Sequence, residues 1–106
     1  MARVLLNVPK QAKKGEPFEV KIIISHPMES GQRRDDMGQA IPRDIINRFL
    51  ATFDGEEVFA ADLFPAIAAN PFLSFFAQVE ASGTLTMSWT DDHGTVESQS
   101  ASIEVV

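Results

Sequence analysis

The sequence predicts an all-β chain folded as a two-sheet sandwich of the immunoglobulin or fibronectin III type, with about seven strands in a single domain over residues 1–106. Three observations carry this expectation. Apolar residues recur at every second position at 18–24 and again at 84–90, the period at which side chains of an extended strand share a face. Clusters rich in Gly, Pro, Asn and Asp divide the chain into short apolar runs. No sustained helical periodicity competes with that pattern.

Taken in order, a short strand at 3–8 comes before the turn Lys14-Gly15-Glu16-Pro17, after which Phe18, Val20, Ile22 and Ile24 line one face of a second strand. These two strands should lie close in space. Asp54-Gly55 supplies the positive φ angles of a tight hairpin between strands at 46–53 and 57–63. An aromatic-rich strand at 72–80 leads through Ala81-Ser82-Gly83 to a strand at 84–90, where Leu85, Met87 and Trp89 point one way and make Trp89 a core candidate. Asp91-Asp92-His93-Gly94 then turns the chain into 96–105. There Ala101, Ile103 and Val105 share one face, and Ser98, Ser100 and Ser102 form the outward polar one. One segment is ambiguous. Pro42 could open a helix in which Ile45, Ile46, Phe49 and Leu50 repeat at helical spacing. We read it as a strand, with the helix as the alternative.

At 106 residues the chain can bury roughly two-thirds of the surface its unfolded form exposes, so it needs no covalent staple. The absence of cysteine excludes disulfides, thiolate zinc sites and a cysteine nucleophile. A formal charge of −6 repels phosphate backbones, and the basic residues form only short groupings such as Arg33 and Arg34 with Arg43 nearby, so nucleic acid is not an expected partner. The apolar run at 1–7 is too short for a signal-peptide core, and no cleavable export signal is expected. The weakly polar stretch 63–79 falls short of a bilayer-spanning length and is broken by Pro65, Asn70 and Pro71, so no membrane span is expected either.

Catalytic chemistry finds little support. His26 ends the second strand, and His93 sits in a turn beside Asp91 and Asp92. A functional reading pairs His26 with Glu29 or Asp35 as acid and base, or His93 with the aspartates as metal ligands. No His-x-x-x-His spacing fixes two ligands on one side, and a strand-end histidine and a solvated turn are the plainer assignment. The pairs Asp35-Asp36, Glu56-Glu57 and Asp91-Asp92 read as solvated turns and edges. The serines lack a Gly-x-Ser-x-Gly elbow, and there is no glycine-rich phosphate loop. No catalytic, cofactor-binding or metal site is expected.

Two stretches exceed what a minimal sandwich requires. The first, 26–42, is a long connection carrying Met28, Met37 and the cluster Arg33-Arg34-Asp35-Asp36. It is either a flexible loop whose arginines pair with its own aspartates, or a partner-facing element, since Arg and Met are enriched at protein interfaces. The second, 63–76, contains no charged residue. It combines core closure, with Phe72 or Phe75 inward, and an outward apolar tip over 64–70 that a partner would cover. Prolines at both ends restrict that tip and lower the cost of ordering it on binding.

Several runs resemble one family across nearly the whole chain. They are Asn7-Val8-Pro9-Lys10; Ile24-Ser25-His26-Pro27-Met28-Glu29 with Gly31 and Arg33-Arg34-Asp35 after it; Ile41-Pro42-Arg43-Asp44-Ile45-Ile46; Phe64-Pro65-Ala66-Ile67-Ala68-Ala69-Asn70-Pro71-Phe72; and Trp89-Thr90-Asp91-Asp92 with Gly94. Together they are similar to the SoxZ family. The resemblance implies a sandwich subunit of the bacterial sulfur-oxidising (Sox) system, without a reaction or cofactor of its own. It would be bound as a heterodimer to a SoxY-like subunit whose cysteine, on a flexible C-terminal tail, carries intermediates derived from thiosulfate, and would make transient contacts with other Sox enzymes. It also implies a periplasmic setting, reached by export together with a signal-bearing partner. A chain without cysteine would serve such a carrier rather than be one. The partner-binding residues expected are Met28, Arg33, Arg34, Asp35 and Ile41 in the first stretch and Phe64, Pro65, Ile67, Asn70 and Phe72 in the second.

Two rival readings belong to other classes. A small metal-dependent redox domain would use His26 and His93. A carbohydrate-binding or adhesion module would need an exposed aromatic platform, which a buried Trp89 and the absence of tyrosine do not offer.

Overall fold

Alternation along the chain becomes two antiparallel-dominated sheets that face each other through their apolar sides. The computed structural model describes residues 3–106; Met1 and Ala2, the start of the 1–7 run, lie outside the described residues. Eight strands follow in order: β1 (Val4–Asn7), β2 (Gln11–Ala12), β3 (Phe18–Ile24), β4 (Ile46–Phe53), β5 (Glu56–Asp62), β6 (Phe72–Ala77), β7 (Gly83–Asp91) and β8 (Val96–Val105). One sheet has the order β1-β3-β6 and the other β2-β8-β7-β4-β5. The first two expected strands do pair, with Leu6 opposite Ile22. The eighth strand, β2, is two residues lying parallel to the end of β8, too short to leave a periodic signal. The expected strand at 72–80 ends at Ala77.

The ambiguous segment is a strand, and its helix-like spacing has a physical origin. Ile46 pairs with Asp91 while Arg48 pairs with Thr90, so β4 carries an extra residue, a bulge, opposite β7. A bulge shifts the inward face by one position. Ile46 and Phe49, three apart, are therefore both fully buried, and Ala51 continues the inward face two residues later. Asp54-Gly55 makes the expected hairpin turn, with φ of 49° and 89°.

The core is the layer between the sheets. Leu85, Met87 and Trp89 from β7 meet Val20, Ile22 and Ile24 from β3, all buried. Aromatic rings span the gap: Phe75 of β6 stacks on Phe59 of β5 with centroids 4.6 Å apart, and meets Phe49 of β4 edge-on at 6.1 Å. Phe75 is thus the inward member of the pair weighed above, and Phe72 points outward.

Between β3 and β4 the chain does not wander as a loop but folds back on itself as an arm. Glu29 and Asp44 exchange two backbone hydrogen bonds of 2.8 Å at its root. Further out, the Ile41 N–H donates to Arg33, and the Asp35 carboxylate accepts the N–H groups of Met37 and Gln39, which closes the tip. The longest extent of the molecule, 58 Å, exceeds the roughly 33 Å of a ten-residue strand. Such elongation is what a projecting arm produces. Gly31, at φ +86°, lets the arm cross close to Arg43, where a side chain would press on the Arg43 Cβ.

Asp92 ties the root of this arm to the β7–β8 turn. Its carboxylate accepts two hydrogen bonds from the Arg43 guanidinium (2.7 and 2.8 Å), one from the Asn47 amide (3.0 Å) and one from the Ile45 N–H (3.2 Å). Asp92 is therefore not the solvated turn residue that the sequence suggests, because its partners come from residues almost fifty positions away, whereas the Asp91 carboxylate bonds within the turn, to the N–H groups of His93 and Thr95. The Arg43 hydrogen bonds, aided by Asn47 and Ile45, hold the Asp92 carboxyl below its ordinary range against the opposing effect of burial.

Replacing Phe49 by Ala removes the ring that joins β4 to β6 and should cost about 3–5 kcal/mol, read from urea unfolding midpoints. Because the folded-state pKa of Asp92 is depressed, its contribution is complete above the unfolded-state value near 3.9 and is lost as pH falls through the folded value. Asp92→Asn should therefore be less stable than the wild type at pH 7, with the gap narrowing as pH drops below about 4; unfolding midpoints measured at both pH values check this.

Candidate functional site

Strand directions bring the two unusual stretches to the same end of the sandwich. The arm leaves from the end of β3 and returns at the start of β4, the 64–70 segment runs into the start of β6, and the β7–β8 turn pairs with the start of β4. His26 joins the stretches directly: its N–H donates to Asn70 Oδ1 (3.1 Å), and its carbonyl accepts the Asn70 N–H (2.8 Å). Asn70 adopts φ 54° to make both bonds, a conformation that asparagine tolerates well.

At this end the outer face of the three-stranded sheet is apolar. Leu5 lies opposite Ile23, and Ile23 opposite Phe72, so the three form one cross-strand row. They are 71%, 37% and 56% exposed. The next row, Asn7, Lys21 and Ser74, is polar, and beyond it the exposed Phe76 lies opposite Glu19, so the all-apolar row stands at the end that also carries the 64–70 tip. Leu5 and Ile23 line a hollow of about 450 Å³ together with Asn70. Phe64 is 66% exposed, and Ile67 is exposed as well. The opposite sheet offers a contrast: Thr84, Thr86 and Ser88 pair with Ser102, Ser100 and Ser98, giving an outer face of hydroxyl groups.

The other expected partner-binding residues fall into three situations. Arg33, Arg34 and Asp35 are exposed on the arm, but each is engaged. Arg33 Nε donates to Glu29 (2.9 Å), Arg34 to the Gly38 carbonyl (2.9 Å), and Asp35 caps the tip. The arginines thus do not pair with the adjacent aspartates. Pro65 and Ile41 are half-buried. Met28 needs correcting: it is 5% exposed, belongs to the core, and its sulfur accepts the Ile46 N–H at 3.3 Å, so no partner can reach it. An expectation based on residue type alone missed this, because φ of 50° at Met28 turns the side chain inward. The sequence reading also overlooked Leu5 and Ile23, whose outward positions were legible from alternation but whose adjacency to Phe72 depends on strand order.

A polar cluster occupies the same end. Asp44, at the root of the arm, lies between the two histidines, with Oδ1 3.9 Å from His26 Nε2 and Oδ2 3.2 Å from His93 Nε2. The Met28 N–H donates to His26 Nδ1 (3.0 Å), which leaves the ring proton of neutral His26 on Nε2, facing Asp44. Separated by 67 positions, the histidines gave no sign of this in the sequence.

No curated relative matches the chain in sequence. Among solved structures, the superoxide reductase (neelaredoxin) from Ignicoccus hospitalis superimposes with a TM-score of 0.76 at 18% identity, over 97% of this chain and 80% of that one. The sulfur carrier protein SoxY from Chlorobium limicola f thiosulfatophilum superimposes with a TM-score of 0.68 at 13% identity, over 97% of this chain and 78% of that one. Identities this low speak to the shared sandwich alone. Residues 6–102 match the family described as sulphur oxidation protein SoxZ. That match spans the arm, the 64–70 tip and all but the ends of the first and last strands, and the chain belongs to the SoxZ family.

Proposed function

We propose that this chain, a Sox sulfur-oxidation subunit by family, is the non-catalytic member of a sulfur-carrier heterodimer in thiosulfate oxidation. It binds a SoxY-like subunit that carries sulfur intermediates on a C-terminal cysteine. The observation that carries the reading is the exposed row Leu5, Ile23 and Phe72 beside the 64–70 tip, on a chain without cysteine. A continuous cross-strand row of exposed apolar side chains favours a protein partner over solvent. A thiol that visits several enzymes is best carried on a mobile tail, and such a tail needs a folded base. This chain supplies that base, and the half of the arm beyond Gly31 is free to meet the visiting enzymes. Export to the periplasm in company with a signal-bearing partner belongs to the same proposal.

Co-expression with a SoxY-like chain should yield a complex of one copy each by native mass measurement, whereas the chain alone should aggregate as its concentration rises. Phe72→Glu puts a charge into the row without touching the core and should weaken capture of the partner at least about tenfold, with unfolding midpoints unchanged. Undiminished capture by this variant removes the row from the interface. Turnover of a sulfur substrate by the isolated chain would overturn the non-catalytic role.

A further inference from the structure

The three-stranded sheet ends on β6, and among the described residues no strand pairs with the far side of β6. The Ile24 N–H donates to the Pro71 carbonyl (3.1 Å), and in an antiparallel ladder such bonded pairs recur at every second residue. The backbone groups of Leu73, Phe75 and Ala77 therefore point to β3, and those of Phe72, Ser74 and Phe76 point away, along the open edge. Proteins commonly guard such edges with charges, prolines or bulges. β6 has none of these from Phe72 to Ala77, and Phe72 and Phe76 are 56% and 65% exposed. The edges of the other sheet are guarded: β5 carries Glu56, Glu57 and Asp62, and β2 is two residues long. β1 lacks charge too, but its four residues leave the backbone groups of Val4 and Leu6 alone to face outward.

We propose that a second copy of this chain pairs antiparallel with this edge, β6 against β6, about a two-fold axis at Ser74. The choice of occupant follows from the strand itself. Phe72-Leu73-Ser74-Phe75-Phe76 reads almost the same in both directions, with Leu73 and Phe75 exchanging one apolar residue for another, and a two-fold axis sets a strand against its own reverse. In that register Phe72 lies opposite Phe76 of the second copy, and Ser74 lies opposite its own equivalent. These are the residues whose backbone groups are free, so each opposed pair exchanges two hydrogen bonds. On the outward face ring meets ring and hydroxyl meets hydroxyl, and no charge is set against a like charge. One added strand is a small contact, so the dimer is weak and depends on concentration. A carrier subunit seated on Phe72 would compete for the same strand, which keeps one copy of each chain in the heterodimer. The inference concerns the isolated chain, gives its self-association a first step, and does not rest on the carrier-subunit reading.

The test is sedimentation of the full chain alone from micromolar to millimolar concentration, with residue-resolved amide exchange on the same samples. A monomer–dimer equilibrium is expected, and the amides of Phe72, Ser74 and Phe76 should slow as the dimer forms, while those of Leu73, Phe75 and Ala77 are protected throughout. Ser74→Glu sets two like charges across the axis and should weaken the dimer at least about tenfold. Ser74 is exposed and Lys21 lies opposite it on β3, so this variant keeps its fold. Ser102→Glu, on the outer face of the other sheet, should leave the dimer intact. A chain that stays monomeric to millimolar concentration overturns the proposal. So does an undiminished dimer in the Ser74 variant, or association that slows amides elsewhere and not at Phe72, Ser74 and Phe76.

Discussion

Neither sheet can hide its apolar face alone, and everything else in this protein is arranged around that constraint. The three-stranded sheet offers Val20, Ile22, Ile24 and Phe75, and the five-stranded sheet answers with Phe49, Leu85, Met87, Trp89 and Ile103. The stacked and edge-on contacts among Phe49, Phe59 and Phe75 bind β4, β5 and β6 across the gap. Because β4 and β6 belong to different sheets, their docking fixes where the chain must cross over. Two of the crossovers between the sheets, the arm and the 63–71 segment, emerge at the same end.

That common end carries two kinds of chemistry side by side. The row of Leu5, Ile23 and Phe72 is apolar, whereas the root of the arm is a network of carboxylates, histidines and Arg43. His26 stands at the boundary, bonded through its backbone to Asn70 and facing Asp44 with its ring. The chain that carries this arrangement belongs to the SoxZ family. The same sandwich recurs in a superoxide reductase and in a SoxY carrier at identities below 20%, so its packing tolerates very different sequences.

Much of the fold was legible because alternation is a local property. Phe18–Ile24, 84–90 and Val96–Val105 each show their inward face within a few residues, and Asp54-Gly55 announces its hairpin by backbone chemistry. The bulge in β4 defeated the same logic, since one extra residue turns a period of two into an apparent helical spacing at Ile46 and Phe49. β2 left no pattern because two residues have no period.

The site divides along the same line. Sequence alone determined that the chain lacks a thiol, that its sheets are amphipathic and that residues 63–76 carry no charge, because composition and period need no neighbours. Tertiary structure alone decided that Met28 turns inward, that Leu5 and Ile23 stand beside Phe72, and that Asp44 sits between His26 and His93. Each of these depends on the order and register of strands distant in sequence. That order is set by how two whole sheets pack, a quantity that no short stretch of residues encodes.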